Sequence, residues 1–169
     1  QIDKYLRKLF PIVRSITGNG NRETLKILQE IIPLEIIEYP SGIEVYDWTI
    51  PEEWNINDAY ILDPNGNKIV DFKVCNLHLV NYSVKVDLEL ELEDLQNHLH
   101  SIEEQPDAIP YVTSYYKKNW GFCLSHNQRK NLPKGKYRVV IDSTLSPGNL
   151  TYGELIINGN TKQEVFIST

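Results

Sequence analysis

The turn sequence Asp63-Pro-Asn-Gly-Asn67 constrains the fold more than any other short segment of the chain. Gly tolerates the positive φ angles of tight turns between antiparallel strands, and Asp, Pro and Asn also favour turns. Short segments rich in apolar residues flank this turn at residues 59–62 and 68–72. The pattern predicts a β-hairpin, and the β pattern resumes over residues 77–82.

The spacing of apolar residues predicts the remaining elements. An amphipathic helix is predicted over residues 2–14, with Pro11 as a kink or restart, and a second helix is capped by Asn21 and stopped by Pro33. The glycines between these helices could cradle an anion at a helix N-terminus or simply join the two helices. A third helix is predicted over residues 90–102. Further strands are predicted at residues 34–39, 44–50, 137–143, 151–157 and 164–168.

Residues 107–129 carry most of the side chains that are suited to binding or chemistry. Two apolar segments, 109–116 and 120–124, flank the polar residues 117–119, which predicts two strands joined by a short turn. The candidate cleft contacts of this stretch are Tyr115, Tyr116, Trp120, His126 and Arg129. The alternative interpretation is a sheet core whose Tyr and Trp tips reach water.

No complete catalytic or metal-binding constellation is present in the sequence. Cys123 and His126 lie three residues apart, and a thiolate–imidazole pair would need them in contact, with an orienting group behind the imidazole. His98 and His100 are two residues apart, so on a helix they point to different sides and make poor joint metal ligands. The P-loop, GxGxxG, HExxH and GxSxG motifs are absent.

Charge and composition exclude some partners. The chain has a formal net charge of -6 and a pI near 5.2, whereas binding to a nucleic-acid backbone needs clustered Lys and Arg, so nucleic acid is not expected as a partner. No apolar run approaches the length of a membrane span, and no signal peptide is recognisable, so no membrane partner is expected. Cys75 and Cys123 follow no CxxC pattern, and this low cysteine count favours a reducing cytoplasm.

Four longer segments resemble, in this order, a bacterial family of aminopeptidase-like proteins in the di-zinc exopeptidase clan. Members of that family are often labelled as polysaccharide-biosynthesis proteins. The segments are FPIVRSITGNGNRET, YPSGIEVYDWTIPEEWNINDAYI, QPDAIPYVTSYYKKNWGFCLSHNQR and GNLTYGELIINGN with EVFIST. Together they span nearly the whole chain.

This resemblance implies an α+β fold that contains the first helices and strands of an α/β/α zinc-exopeptidase core. Residues 1–43 and 149–169 would form the start of that core, and residues 44–148 an inserted, mainly β domain with one helix. In the family, the strand that matches EVFIST leads directly into a histidine and then an aspartate that bind zinc. Residues 165–169 are therefore expected to be an inner strand whose continuation carries the metal. Zinc is expected in the full-length protein, with none bound by this chain.

The resemblance also implies a function. The chain would be the N-terminal portion of a cytoplasmic, zinc-dependent aminopeptidase-like hydrolase that acts on a peptide or small amide, and it would be inactive by itself. The insertion would shape or cover the active-site cleft, with Arg129 pairing with a substrate carboxylate and His126 donating to a developing oxyanion. Two alternatives stay open: a non-catalytic peptide- or carbohydrate-binding module, and a dimerisation or scaffold domain of a homo-oligomer.

Overall fold

The computed structural model describes residues 2–168. It combines helices with strands in several small sheets, which confirms the α+β class. The helices are α1 (Ile2–Leu9), α2 (Asn19–Gln29), α3 (Leu92–Leu95) and α4 (His126–Lys130). The strands are β1 (Glu35–Pro40), β2 (Glu44–Val45), β3 (Trp48–Thr49), β4 (Glu53–Leu62), β5 (Lys68–Asp71), β6 (Val86–Glu91), β7 (Leu99–His100), β8 (Phe122–Cys123), β9 (Lys136–Ser146) and β10 (Asn149–Glu154).

A four-stranded antiparallel sheet in the order β5-β4-β9-β6 forms the centre of the fold. Its two longest strands, β4 and β9, are neighbours, with Ala59 opposite Ile141. The predicted hairpin is confirmed, because β4 pairs with β5 and the Asp63 carboxylate accepts hydrogen bonds from the backbone N–H groups of Asn65 and Asn67 at 2.9 and 2.8 Å. Local turn chemistry therefore sets the pairing of these two strands.

One face of this sheet carries the hydrophobic core. Along β9, Tyr137, Val139 and Ile141 are buried while Arg138 between them is exposed, as expected for a strand with one face toward water. Residues from the largely irregular part of the chain cover this buried face: Leu79, Tyr82, Leu95, Leu99, Phe122 and Leu124. The core of the central sheet is therefore closed by the chain's own side chains.

Strands β1 and β10 form a separate two-stranded antiparallel ribbon. The Ser41 N–H donates to the Gly148 carbonyl at 2.8 Å, so the chain leaves β1 and returns to β10 at the same end of the ribbon. Helix α2 packs on one face of the ribbon, where Gly153 lies against Leu25 and Leu34. An inserted domain needs the chain to leave and return at neighbouring points, as it does here. The division into residues 1–43 and 149–169 around an inserted domain of residues 44–148 stays a prediction.

Arg22 on α2 joins the ribbon to the central sheet. Its guanidinium donates to both carboxylate oxygens of Glu53 on β4, at 2.8 and 2.5 Å, and to the carboxylate of Glu38 on β1 at 2.9 Å. Glu53 also accepts from the backbone N–H of Asn149 at 3.1 Å, and Glu38 accepts from the Thr151 hydroxyl at 2.8 Å. We call these five residues the clasp. Bidentate pairs between Arg and a carboxylate are strong and directional, so the clasp fixes α2 and the ribbon against β4.

Hydrogen bonds from Arg22 lower the pKa of the Glu53 carboxyl from 4.5 to about 2, although its burial opposes this shift. Arg22 and then the Thr151 hydroxyl lower the pKa of Glu38 in the same direction. A carboxyl with a lowered pKa stabilises the fold above its unfolded value, and this contribution is lost as the pH falls through its folded value. The Glu53 contribution is therefore complete at neutral pH and declines between pH 4.5 and about 2.

The stretch of residues 107–129 does not form the predicted pair of strands. Within the two predicted segments only Phe122–Cys123 is a strand, and it pairs in parallel with β7 rather than with its neighbour in sequence. The backbone of this stretch bonds mainly to residues 80–84; for example, the Asn81 N–H donates to the Val112 carbonyl at 3.0 Å. These long-range partners satisfy the backbone groups that a local hairpin would have used.

The predicted helix over residues 90–102 is mostly wrong. Helical geometry is limited to Leu92–Leu95 and a following 3-10 turn at Gln96–His98. The preceding residues, Val86–Glu91, form β6 and pair with β9. Their alternation of apolar and acidic side chains suits a strand at the sheet edge, so pairing with β9 overrides the helical spacing that follows.

Two other predicted strands are partly right. Residues 44–50 form the short strands β2 and β3, which pair around Tyr46, whose φ is 55°. Residues 77–82 lie in a 3-10 turn and in isolated bridges such as that between Leu79 and Phe122. In both places a backbone turn interrupts what the apolar pattern predicts as a continuous strand.

The junction between the first two helices also differs from the prediction. Helix α1 ends before Pro11, and α2 begins at Asn19 rather than after Asn21. The side-chain oxygen of Asn55 on β4 accepts from the Asn19 N–H at 2.8 Å, while the Asn21 side chain donates to the Thr151 carbonyl. Contacts with the central sheet and the ribbon therefore decide where α2 begins.

The C-terminal segment, residues 155–168, contains no strand. The strand predicted over residues 164–168 is therefore wrong, and the strand before it ends at Glu154. The apolar side chains of this segment are largely exposed: 89% for Val165, 91% for Phe166 and 80% for Ile167. A strand is stabilised by a neighbouring strand, and between residues 2 and 168 none lies beside this segment. The inner strand expected at 165–169 is not formed over residues 165–168, and residue 169 lies outside the described residues.

Replacing Gly18 with Ala is expected to destabilise the fold strongly. Gly18 has a φ of 95°, and an added Cβ would overlap with the carbonyl oxygen of Trp54 on β4. Gly42 provides a matched control, because its φ is 86° and nothing lies within 4 Å of an added Cβ. Gly42→Ala should cost about 1 kcal/mol of unfolding free energy from backbone strain alone, and Gly18→Ala more than about 3 kcal/mol. Urea unfolding of both variants measures the difference, and equal losses would contradict the close packing of Gly18 on β4.

Candidate functional site

Tyr115 and Tyr116 form an aromatic pair at the protein surface. Their ring centroids are 4.3 Å apart, and the Tyr115 hydroxyl donates to that of Tyr116 at 3.3 Å. Tyr115 packs edge-on against the buried ring of Tyr82, whereas Tyr116 is 75% exposed. The pair therefore presents an aromatic surface that is fixed to the core from one side.

Trp120, His126 and Arg129 lie in a second environment, around residues 96–101. The Trp120 ring stacks on His98 with a centroid separation of 3.6 Å, and the His98 Nδ1 lies 3.1 Å from the Trp120 carbonyl oxygen. Such aromatic stacking stabilises the packing of Trp120 against the segment that contains His98. Of the five predicted site residues, the structure thus pairs Tyr115 with Tyr116 and places the other three elsewhere.

Arg129 on α4 uses its donors inside the protein. Its Nε donates to the Gln96 side-chain oxygen at 2.7 Å, and a terminal nitrogen donates to the Gln96 carbonyl at 3.0 Å. The Ser101 hydroxyl lies 3.4 Å from the other terminal nitrogen and 3.1 Å from Nδ1 of His126. Burial, followed by the positive charge of Arg129, lowers the pKa of neighbouring His100. The network holds residues 96–101 against α4 in this structure.

Cys123 does not have the setting of a nucleophile. Its side chain is fully buried, and burial raises the pKa of the thiol to about 12. The reactive form of cysteine is the thiolate, which this environment suppresses. His126, its predicted partner, is hydrogen-bonded to Ser101 instead. The Cys123–His126 hypothesis therefore has no support in the geometry.

Metal-ligating side chains do not converge in the described part of the chain. Over residues 2–168, no group of three or more His, Cys, Asp or Glu side chains is placed to hold a metal ion. These residues thus do not fit the ligand set that a zinc hydrolase needs, and no catalytic step through a metal can be derived from them. None of the described helices is long and apolar enough to cross a membrane.

A cleft of about 540 Å³ lies between the segment joining α1 to α2 and strand β4. Its lining combines apolar Ile12 and Phe72 with the amide side chains of Asn19, Asn55 and Asn57. Sequence reasoning did not identify this cleft, since its two walls are far apart in the chain. The glycines of this segment were the one sequence feature that could have indicated the cleft, because glycine allows two backbone segments to approach closely.

Those glycines act as a joint between the helices. An added Cβ at Gly20 would overlap with the Val13 carbonyl oxygen, and one at Gly18 with that of Trp54. The N–H of Asn19 at the start of α2 is already bonded to Asn55. Of the two roles left open by the sequence, the contacts support the joint, in which the glycines pack closely against the connecting segment and β4.

Comparisons with known proteins place these features in a family. Residues 53–144 match the model of a family described as a domain of unknown function, DUF2172. Over 169 residues the chain is 50% identical to a Clostridium acetobutylicum protein provisionally named a polysaccharide biosynthesis protein with an aminopeptidase-like domain, and it spans 39% of that protein's length. A crystal structure from the same organism, provisionally named a peptidase, shares 53% identity with a TM-score of 0.86, over 90% of this chain and 36% of the other.

The matched residues 53–144 contain the whole central sheet up to the last residues of β9, and they lie within the predicted insertion. The similarity to the longer protein covers the whole chain and therefore includes the ribbon and α2. Because the family model matches more than half of its residues, this chain belongs to the DUF2172 family.

Proposed function

We propose that this chain is the N-terminal portion of a zinc-dependent aminopeptidase-like hydrolase that acts on peptides or small amides. The carrying observation is the match to the crystal structure provisionally named a peptidase, at 53% identity and a TM-score of 0.86 over 90% of the chain. The aminopeptidase-like domain in the name of the Clostridium acetobutylicum relative supports the same reaction class. The proposal places the protein in the cytoplasm, in keeping with its two free cysteines.

The proposal assigns the zinc ligands to a part of the longer protein outside this chain. The assignment is supported by the described residues, which bring no three metal-ligating side chains together. When bound, zinc would supply an activated water for amide hydrolysis. One contribution of this chain would be structural: the clasp holds the central sheet at a fixed position relative to α2 and the ribbon.

Within the proposal, residues 44–148 shape or cover the active-site cleft. The five candidate contacts differ in how much binding capacity they retain. Tyr116 presents an exposed ring, and a rigid aromatic side chain loses little conformational entropy when it contacts a substrate. Arg129 and His126 are already engaged with Gln96 and Ser101. The Tyr115–Tyr116 pair is therefore the stronger candidate for substrate contact, whereas Trp120, His126 and Arg129 hold residues 96–101 in place.

The reaction class is tested on the longer protein purified without added metal. We expect stoichiometric zinc by mass spectrometry, hydrolysis of aminoacyl-p-nitroanilides, loss of that activity with a chelator, and its recovery on addition of zinc. A protein free of zinc, or one whose amide hydrolysis survives chelation, would contradict the proposal. Zinc-free protein that binds peptides or sugars would favour the binding-module alternative. An inactive protein whose molecular mass depends on concentration would favour the scaffold alternative.

The Tyr116→Ala variant of the longer protein is expected to lower kcat/KM for peptide substrates about tenfold, because the lost ring contact removes roughly 1.4 kcal/mol of transition-state binding. Its melting temperature should stay unchanged, since the ring is 75% exposed. Tyr46→Ala is the matched control: Tyr46 is 102% exposed and lies in the separate β2–β3 hairpin, so neither quantity should change.

Arg129→Ala should behave in the opposite way. It leaves the Gln96 carbonyl and side-chain oxygen without their donor, so we expect a loss of about 1–3 kcal/mol in unfolding free energy. Wild-type kcat/KM in Tyr116→Ala would remove the aromatic pair from the substrate cleft. Wild-type stability in Arg129→Ala together with a tenfold loss in kcat/KM would instead make Arg129 the substrate contact.

A further inference from the structure

One face of the β1–β10 ribbon is apolar and lies open. The registers place Ile37 opposite Tyr152 and Tyr39 opposite Leu150, and side chains of paired residues project to the same face. The Tyr39 and Tyr152 rings stack with centroids 6.1 Å apart and planes inclined by 6°. We call Ile37, Tyr39, Leu150 and Tyr152 the ribbon face. Two of its four side chains remain exposed, at 44% for Tyr39 and 38% for Tyr152.

The opposite face of the ribbon is covered by other parts of the chain. There, Gly153 packs against Leu25 and Leu34, and Thr151 and Glu38 join the clasp. Helix α2 thus covers one side of a two-stranded ribbon, which alone would be marginally stable. Sheets in stable domains bury their apolar faces against another layer, and the described residues supply that layer on one side.

Exposed apolar side chains are unevenly distributed along the chain. Within residues 53–144, the large exposed ones are Val74, Leu88, Tyr111 and Tyr116. The flanking segments expose many more: Ile2, Leu6, Phe10, Ile31, Ile32, Ile36, Tyr39, Ile43, Val45, Tyr46, Tyr152, Leu155, Ile156, Ile157, Val165, Phe166 and Ile167. Concentrated apolar exposure marks a surface that another protein segment covers. Residues 53–144 therefore bury most of their large apolar side chains, whereas the ribbon and the other flanking segments leave many of theirs exposed.

Charge at one end of the ribbon face indicates the chemistry of the segment that covers it. Glu35 and Glu154 are directly opposite each other on the same face as the four apolar residues. Like charges facing across a strand pair are destabilising unless a cation lies between them. A covering segment with an apolar face and a Lys or Arg near this end satisfies both requirements.

We propose that the ribbon face is an internal packing surface, covered by an amphipathic segment of the same polypeptide that carries a basic residue beside Glu35 and Glu154. The relative that matches the whole chain at 50% identity is much longer, since this chain spans 39% of it, and this length supports a covering segment in cis. The inference rests on the proposed function in one respect, because it takes the covering segment from the aminopeptidase-like portion of the longer protein.

Hydroxyl-radical footprinting of the native longer protein tests this proposal without any substitution. Oxidation rates of tyrosines follow their exposure, and the chain contains matched probes: Tyr39 and Tyr152 on the ribbon face, with fully exposed Tyr46 as the reference. If the ribbon face stays open, the exposures of 44%, 38% and 102% predict that Tyr39 and Tyr152 are oxidised at about two fifths of the Tyr46 rate. If it is covered, both rates should fall below about one tenth of the Tyr46 rate.

Oxidation of Tyr39 and Tyr152 at about two fifths of the Tyr46 rate would overturn the proposal. Protection that is lost on dilution, together with a fall in mass by light scattering, would also overturn it by assigning the covering segment to a second copy. Protection that is independent of concentration supports a segment in cis, and cross-linking of Glu35 or Glu154 to a Lys of the same polypeptide would identify it. Because footprinting does not depend on zinc or catalysis, an inactive protein with a protected ribbon face would reject the proposed reaction and keep this inference.

Discussion

The bidentate ion pair between Arg22 and Glu53 is the interaction on which the arrangement of the fold depends. It connects α2 to the first residue of β4, and through Glu38 and Asn149 it reaches both strands of the ribbon. A half-buried pair of this kind is stabilising only where the remaining lone pairs find donors, and Glu53 has them in the Asn149 N–H and the Asn55 amide. Other contacts reinforce the junction, notably the buried hydrogen bond between Thr17 and Tyr82.

This junction separates two regions of different character. The region matched by the family model closes its own hydrophobic core, while the flanking segments leave apolar side chains exposed. A closed domain that is fixed rigidly to an open ribbon is well suited to hold a surface near an active site formed elsewhere in the same protein. In the proposed function the exposed Tyr115–Tyr116 pair is the part of that surface that contacts substrate, whereas Arg129 and His126 are engaged with Gln96 and Ser101.

Features set by local chemistry could be predicted from the sequence. The hairpin around Asp63 followed from its turn residues, and the alternation over residues 137–143 correctly indicated β9. Residues 107–129 could not be predicted, since their backbone pairs with residues 80–84, which no local pattern reveals. The same applies to the site: residue types drew attention to Arg129, but its engagement with Gln96 depends on a contact across the fold.

The apolar segment EVFIST shows a different limit. Its composition indicates an interior strand, yet these residues are exposed because a strand needs a neighbour that residues 2–168 do not provide. The cleft beside β4 escaped prediction for a related reason: its walls come from residues 8–23 and from residues 54–72. In each case the sequence contained the side chains but not the partner that gives them their role.

A double-mutant cycle on the clasp tests the central claim most directly. Unfolding free energies of the longer protein would be measured at neutral pH for Arg22→Met, Glu53→Gln and the double variant. If the pair fixes the ribbon to the central sheet, the two substitutions should be coupled by about 1–3 kcal/mol. Losses that add to within about 0.5 kcal/mol would show that Arg22 and Glu53 contribute independently, and would contradict the clasp as the basis of this arrangement.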